Sequence, residues 1–266
     1  MHCRSVAAGG GRVNFYEVGA GPPVVLLHGL LGSPAYLAGL GRALAASGRR
    51  VLIPALPGHA GSPPLEPFSF ERAADHLAAA MSAAGVERPA LMGHSLGATL
   101  AVHWAARHPL RGLVAASPVG MLELDVAVAR ALLPAAPAAA AVARLAATRL
   151  AGSVTGRRIV FGWFVGMAGP QLVPPSLGQR MIRDAAAAWP ALRGVMPQLG
   201  RTDLADVASR AGCPSLVIWG ELDAHAGNGD ALAAALRGER LALAGVGHMP
   251  MLEVPFSFRR ALDGWL

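Results

Sequence analysis

The chain has 266 residues, of which 53% are hydrophobic and 15% charged, a composition that indicates a globular protein and excludes a disordered one. All 23 basic residues are arginines, and with 16 acidic residues they give a formal net charge of +7. These arginines lie singly or in pairs, without a basic run interleaved with aromatic residues, so we predict no nucleic-acid partner and attribute the excess to compositional bias.

The two cysteines, Cys3 and Cys213, are far apart and lack the spacing of a metal site, so no structural disulfide is expected. The first residues contain no apolar region typical of a signal peptide, and we therefore expect a cytoplasmic protein. The segment 159–179 carries no charge, but prolines interrupt its second half. A spanning helix needs about 20 continuous apolar residues, so no integral membrane association is predicted.

Short apolar runs alternate with longer amphipathic ones, a pattern typical of a parallel sheet with crossover helices. The predicted strands, in chain order, are Val13–Val18, Val24–Leu27, Val51–Pro54, Ala90–Gly93, Gly112–Ser117, Ser215–Trp219 and Arg240–Leu243. The predicted helices are Ala35–Ser47, Phe70–Ala84, Leu96–Arg107, Asp203–Arg210, Asn228–Leu236 and Phe256–Trp265.

The alternation stops over a segment that is rich in alanine, punctuated by proline and without a convincing strand. We interpret residues 119–200 as a helical cap inserted over one edge of the sheet, and residues 1–118 with 201–266 as the core. No period of 20–50 residues recurs, so a repeat protein is not predicted.

The stretch Gly93-His94-Ser95-Leu96-Gly97 lies where a buried strand pattern changes to a helix pattern. Glycine weakens both strands and helices, so secondary-structure preference does not explain why glycine stands on both sides of the serine. In the order strand, G-x-S-x-G, helix, the serine is a nucleophile on a sharp turn, and the glycines permit close backbone contacts. We predict Ser95 as the nucleophile.

A serine hydroxyl needs a base within hydrogen-bond reach and an acid that orients the base. His248 follows the last predicted strand, at the sheet edge where open α/β sheets place their sites, and is the predicted base. Asp223 follows another strand at the same edge and is the predicted acid, whereas Glu221, still in the turn, is the weaker candidate. The resulting chain order is Ser, Asp, His.

Backbone amides must also stabilise the developing oxyanion. Leu96 supplies one amide at the start of a helix, and Leu30, in the loop after an early strand, is the predicted second donor. His28 precedes that loop and is interpreted as a structural residue that holds it.

These residues resemble the α/β-hydrolase superfamily, specifically its serine-nucleophile, esterase- and lipase-like branch with a helical cap. The matching segments are HGLLGS, LPGHAGS, GHSLGA, HPLRGLV, LVIWGELD and GVGHMPMLEVP. The resemblance implies an α/β-hydrolase fold, a mostly parallel doubly wound sheet with a cap, and places the family's nucleophile, acid, base and oxyanion donors on the residues named above. Ala55 departs from the family, which usually has aspartate there, and this puts the geometry of its loop in question.

The resemblance and the complete residue set predict a serine hydrolase that cleaves carboxylic esters of small, apolar acyl or aromatic substrates through an acyl-enzyme, without a metal or cofactor. Trp163, Phe164, Met167 and Met249 are the candidate substrate-binding residues, with packing of the cap as the alternative for each. The alternatives are a C–C bond hydrolase, a thioesterase, a lactonase, a lyase or cyclase, and a non-catalytic binding module. The sequence leaves open a monomer or a homodimer.

Overall fold

The structure is a computed structural model that describes residues 2–9, 11–119, 149–199, 203–225 and 229–266. Its strands form one eight-stranded sheet. They are β1 (His2–Ala8), β2 (Gly11–Val18), β3 (Pro23–Leu27), β4 (Arg50–Pro54), β5 (Ala90–His94), β6 (Gly112–Ala116), β7 (Ser215–Gly220) and β8 (Glu239–Leu243).

The sheet has the strand order β1-β2-β4-β3-β5-β6-β7-β8. All pairs from β4 to β8 are parallel, while β1 with β2 and β2 with β4 are antiparallel. The mostly parallel sheet predicted from the sequence is therefore confirmed. Because the parallel strands share one direction, the loops that follow β3, β5, β7 and β8 meet at the same edge.

The central strands read as continuous apolar runs because helices cover both faces of the sheet. Alternate residues of β3 enter two different apolar clusters. Val24 and Leu26 pack with Leu37 on one face, whereas Val25 and Leu27 pack with Leu77 on the other. This two-residue alternation fixes the register of β3 and with it the position of the loop that follows.

Helices α1 (Pro34–Ala46), α2 (Phe70–Ala83) and α3 (Leu96–Ala105) connect the first parallel strands. The later helices of the core are α7 (Leu204–Ser209), α8 (Gly229–Leu236), α9 (Pro250–Glu253) and α10 (Pro255–Ala261). Ser33, Ser69 and Asp203 cap α1, α2 and α7, and each side chain accepts a hydrogen bond from a first-turn amide.

The described part of the predicted cap, residues 149–199, contains helices and no strand. Residues 149–152 are helical, followed by α4 (Val154–Arg157), a π-helix (Arg158–Phe164), α5 (Pro175–Ala188), α6 (Leu192–Val195) and two short 3₁₀ turns (Pro170–Leu172, Trp189–Ala191). Residues 120–148 and residue 200 of the predicted cap lie outside the described residues. The division into core and cap at residues 119 and 200 stays a prediction.

The structure adds two elements that the sequence did not predict. The strand β1 pairs with β2 along its whole length as an edge hairpin, and its largely exposed residues carry no clear apolar alternation. The short helix α9 lies directly before α10. No helix in the described ranges is both long and apolar enough to cross a membrane.

Candidate active site

Ser95 lies at the sharp turn between β5 and α3. Its backbone has a φ of 57° and a ψ of −122°, a positive-φ conformation that a non-glycine residue rarely adopts. A Cβ atom on Gly93 would lie 2.1 Å from the carbonyl oxygen of Gly97, and one on Gly97 would lie 2.5 Å from the carbonyl oxygen of His28. Close backbone contacts on both sides of the serine therefore require the two glycines.

Three predicted side chains lie together at the carboxyl edge of the sheet. The Oγ atom of Ser95 lies 3.1 Å from Nε2 of His248, and both carboxylate oxygens of Asp223 lie 2.9 Å from Nδ1 of the same ring. Glu221, the weaker candidate for the acid, is exposed, and its backbone amide donates to the carbonyl of Leu243.

The surroundings of Asp223 keep its carboxylate ionised. Burial raises the pKa of this carboxyl, but hydrogen bonding with His248, the charge of that ring and the backbone amide of His225 outweigh burial and hold the pKa below its usual value. An ionised Asp223 accepts the proton on Nδ1 of His248. The lone pair on Nε2 of a neutral ring then faces the Ser95 hydroxyl, as required of a general base.

Of the two predicted oxyanion donors, Leu96 is the first residue of α3 and Leu30 lies in the loop after β3. In the part of the chain that is described, the amides of Leu30 and Leu96 have no protein acceptor, whereas the amide of Leu31 donates to Nε2 of His59 at 3.2 Å. A Cβ atom on Gly29 would lie 3.0 Å from the Cβ of Ser95, so this loop passes directly beside the serine. The backbone can thus present two amides near Ser95.

Two buried histidines hold the loop that carries Leu30. Nδ1 of His28 lies 2.9 Å from the carbonyl oxygen of Gly29, and its Nε2 accepts from the amide of Leu56 at 3.1 Å. His59 packs edge-on against His28, with 5.3 Å between ring centroids. Burial lowers the pKa of both imidazoles, that of His28 well below its usual value, so both rings are neutral connectors.

The loop after β4 keeps an ordered hydrogen-bond pattern despite alanine at position 55. The amide of Ala55 donates to the carbonyl of Asn14 at 2.8 Å, and the amide of Asn14 donates to the hydroxyl of Ser62 at 3.0 Å. These bonds and the one from Leu56 to His28 tie the loop to its neighbours without an aspartate side chain.

The four candidate substrate-binding residues differ in exposure. Trp163 is 81% exposed, whereas Met167 and Met249 are buried in the apolar cluster between the sheet and the π-helix. The side chain of Phe164 lies outside the described residues. Their contact with substrate stays a prediction.

Three further residues at this edge were not predicted from the sequence. Tyr36 hydrogen-bonds to His94, Glu253 accepts amides on both sides of His248, and the ring of His225 packs edge-on against the ring of His248 with 5.1 Å between centroids. His225 could have been found from its position two residues after Asp223. For Tyr36 and Glu253 no motif in the sequence indicates a partner.

Among the described residues, no cluster of three or more histidine, cysteine, aspartate or glutamate side chains is arranged to hold a metal ion. The chemistry available at this edge is that of a hydroxyl, an imidazole and a carboxylate beside two backbone amides. Such a set can perform nucleophilic acyl transfer.

Known proteins are similar to this chain in sequence and in fold. Residues 22–255 match the family described as alpha/beta hydrolase fold. A pimeloyl-[acyl-carrier protein] methyl ester esterase of Chromobacterium violaceum is 31% identical over 92% of this chain and 94% of that protein. A 2-hydroxymuconate semialdehyde hydrolase of Pseudomonas putida is 33% identical over 44% of each chain. Among solved structures, a thermophilic esterase from Thermogutta terrifontis superimposes with a TM-score of 0.72 at 21% identity, covering 100% of this chain and 98% of that one.

Proposed function

The chain belongs to the α/β-hydrolase fold family, and on that premise we propose that it hydrolyses carboxylic esters of apolar acids through an acyl-enzyme on Ser95. The observation that supports this most strongly is the contact of Ser95 Oγ with His248 Nε2 at 3.1 Å, while His248 Nδ1 faces both oxygens of Asp223.

In the first half of the reaction, Ser95 Oγ attacks the ester carbonyl carbon and its proton moves to Nε2 of His248. The Leu30 and Leu96 amides donate to the oxygen that becomes negative, and each such donor is worth about 2.7–4 kcal/mol of the barrier. When the tetrahedral intermediate collapses, the carbon–oxygen bond to the alcohol breaks and His248 gives its proton to the leaving oxygen. The alcohol departs and the acyl group stays on Ser95.

In the second half, water attacks the acyl carbon and gives one proton to Nε2 of His248. Collapse of the second intermediate breaks the bond to Ser95, and His248 returns the proton to the serine oxygen. The products are the carboxylic acid and the regenerated enzyme. Asp223 stays ionised throughout and stabilises the imidazolium that forms in each half.

Support for an apolar substrate comes from the cluster beside the triad. Phe161 of the π-helix, Met167 and Met249 are buried in the same apolar cluster, and Met249 directly follows the proposed base. Support for an ester comes from the relative that matches over nearly all of both chains, whose name is that of a methyl ester esterase.

The proposal is tested with p-nitrophenyl acetate, butyrate and octanoate. We expect wild-type turnover, and we expect Ser95→Ala to lower kcat at least about 10⁴-fold, because loss of the nucleophile removes the covalent step. The matched control is Ser82→Ala, at an exposed position of α2, which leaves turnover unchanged. An S95A variant that keeps more than about a tenth of the wild-type rate contradicts the assignment of the nucleophile.

A C–C bond hydrolase is the second candidate, because one relative named as a 2-hydroxymuconate semialdehyde hydrolase matches part of this chain. Such an enzyme must protonate a carbon leaving group rather than an alkoxide. Consumption of 2-hydroxymuconate semialdehyde with a kcat/KM above that of every p-nitrophenyl ester would favour it over the esterase. A binding module would show neither reaction.

A further inference from the structure

A buried chain of hydrogen bonds connects the loop of the proposed oxyanion donor to the backbone of the proposed base. The amide of Gly29 donates to the hydroxyl of Tyr36 at 2.5 Å. That hydroxyl lies 2.8 Å from Nδ1 of His94, and Nε2 of His94 lies 2.8 Å from the carbonyl oxygen of His248. Tyr36 and His94 are each 3% exposed, so water does not compete for these groups.

The chemistry of the groups fixes the direction of every bond. The carbonyl oxygen of His248 can only accept, so Nε2 of His94 carries the proton. Burial, and then the neighbouring His248 ring, lower the pKa of His94 to about 3, so its Nδ1 bears a lone pair. The Tyr36 hydroxyl therefore donates to Nδ1, and its oxygen accepts from Gly29. All bonds point the same way, an arrangement in which each bond polarises the next.

We propose that Tyr36 and His94 are positioning residues that fix the distance between the oxyanion donor and the base. Gly29 directly precedes Leu30, His94 directly precedes Ser95, and the carbonyl that ends the chain belongs to His248. One series of hydrogen bonds thus links the residues next to the Leu30 amide and the Ser95 turn to the backbone of His248. The inference rests on the proposed function, because only an acyl-transfer reaction needs all three at once.

The alternative is that these hydrogen bonds only stabilise the fold. The place of the hydrogen bonds in the fold argues against that alternative. Loops after β3 and β8 are separated in the sheet by β5, β6 and β7, so backbone pairing alone does not set their distance. The ring of His94 also packs against the ring of His248 with 5.0 Å between centroids. A shift of about 1 Å in a reacting group can reduce rate about 100-fold.

The test is Tyr36→Phe, which keeps the ring and removes only the hydroxyl. The protein has two tyrosines, and Tyr16→Phe, in the half-buried part of β2, is the matched control. Active sites are first titrated with a fluorophosphonate, so that kcat refers to competent molecules only. We expect Y36F to lower kcat for a p-nitrophenyl ester about 10–100-fold with KM within a factor of two, and Y16F to behave as wild type.

A second readout separates positioning from stability. An aryl boronic acid forms a tetrahedral adduct with a serine nucleophile, and we expect its affinity to fall in Y36F by the same factor as kcat. Affinity for the carboxylic acid product should be unchanged. A Y36F variant that keeps kcat per active site and boronate affinity within twofold of wild type overturns the inference.

If Y36F does not fold, two substitutions of His94, the next residue in the series of hydrogen bonds, decide between positioning and stability. His94→Gln retains one donor and one acceptor, whereas His94→Leu retains neither. We expect kcat per active site in the order wild type, H94Q, H94L, and equal values for the two variants would overturn the inference. If wild type itself neither labels nor hydrolyses esters, the proposed function fails instead.

Discussion

Four buried histidines, His28, His59, His94 and His248, lie at or near the edge of the sheet that carries Ser95, and the chemistry of each follows from what its ring nitrogens meet. His28, His59 and His94 bond to backbone or hydroxyl groups, and burial lowers the pKa of each, so they stay neutral. His248 differs because its Nδ1 faces a carboxylate, which stabilises the ring when Nε2 takes a proton. The same type of side chain is thus a neutral connector at three positions and the proposed base at the fourth, according to the groups that its ring nitrogens meet.

Glu253 holds the loop that carries the proposed base, His248. Its Oε2 accepts the amides of Ala168, Gly169 and Gly247, and its Oε1 accepts the amide of Met249. Glu253→Gln turns one acceptor into a donor that faces an amide. We expect the free energy of unfolding to fall by about 1–3 kcal/mol, measured by urea denaturation.

The control for this prediction is Glu221→Gln, which changes an exposed carboxylate after β7 and should leave the free energy of unfolding unchanged. The carboxylate of Glu253 binds the amides of Ala168 and Gly169, which follow the π-helix, and of the residues on either side of His248. Because its loss should shift His248, E253Q should also lower kcat. A variant as stable and as active as wild type would show that the four amide contacts do not hold the loop.

At the scale of elements, the turn between β5 and α3 depends on backbone contacts that only glycine permits. Gly93 does not have a positive φ, so the requirement is one of space. Strand β5 and helix α3 approach so closely that a single methyl group would overlap the carbonyl of Gly97. The turn is thereby held in the positive-φ form that places the serine oxygen against Nε2 of His248 at the sheet edge.

Two glycines, Gly93 and Gly39, should respond in opposite ways to replacement by alanine. Gly93→Ala should lower the free energy of unfolding by about 3 kcal/mol or more, because the clash is with backbone that has no room to move. Gly39 lies exposed in α1, and nothing lies within 4 Å of a Cβ built there. Gly39→Ala should instead stabilise the protein by about 0.5–1 kcal/mol, since alanine favours helices. Thermal unfolding of both variants shows whether each substitution stabilises or destabilises the protein. A G93A variant as stable as wild type would show that β5 and α3 do not require glycine at this position.

The elements show where sequence reasoning succeeds. Apolar runs such as those of β3 and β7 predict their strands to within one residue, because burial on both faces demands such runs. The edge strand β1 has mostly exposed residues, so burial leaves no pattern in its sequence. Helix α3 ends at Ala105, two residues before the predicted end, since helix termini carry weak signals.

For the whole molecule, two apolar clusters on opposite faces of the sheet hold the strands so that distant loops meet at one edge. The proximity of Ser95, Asp223 and His248 was predictable because each residue follows a parallel strand whose carboxyl end lies at the same edge of the sheet. The bonds of His94 were not, since its partners Tyr36 and His248 are 58 and 154 residues away and follow no motif. Contacts of that kind depend on packing, which a single sequence does not reveal.

Acid should destabilise the folded protein, because several of its buried histidines resist protonation. Burial lowers the pKa of five histidines, to about 3 for His94 and about 4 for His103. The others are His28, His59 and His76. In the unfolded chain these rings bind protons near their usual pKa of about 6.5, so unfolding takes up protons below that pH. The free energy of unfolding should therefore fall as pH decreases from 6.5 towards 4.

Urea midpoints at pH 7, 5.5 and 4.5 measure this effect. Each unit between the folded and unfolded pKa of one group corresponds to about 1.4 kcal/mol. His103→Gln removes one of the five titrating rings, away from the proposed triad, and should give a shallower dependence on pH. A stability that stays constant or rises between pH 7 and 4.5 would contradict the assignment of neutral buried imidazoles.

The most direct measurement of the proposed chemistry is covalent labelling with a fluorophosphonate, followed by intact mass and peptide mapping. A live nucleophile activated by its base should give one adduct per chain, located on Ser95, and none in Ser95→Ala. Labelling of His248→Gln should be at least about 10³-fold slower, since the base no longer takes the serine proton. No adduct, an adduct on another residue, or an H248Q variant that labels at the wild-type rate would contradict the proposal.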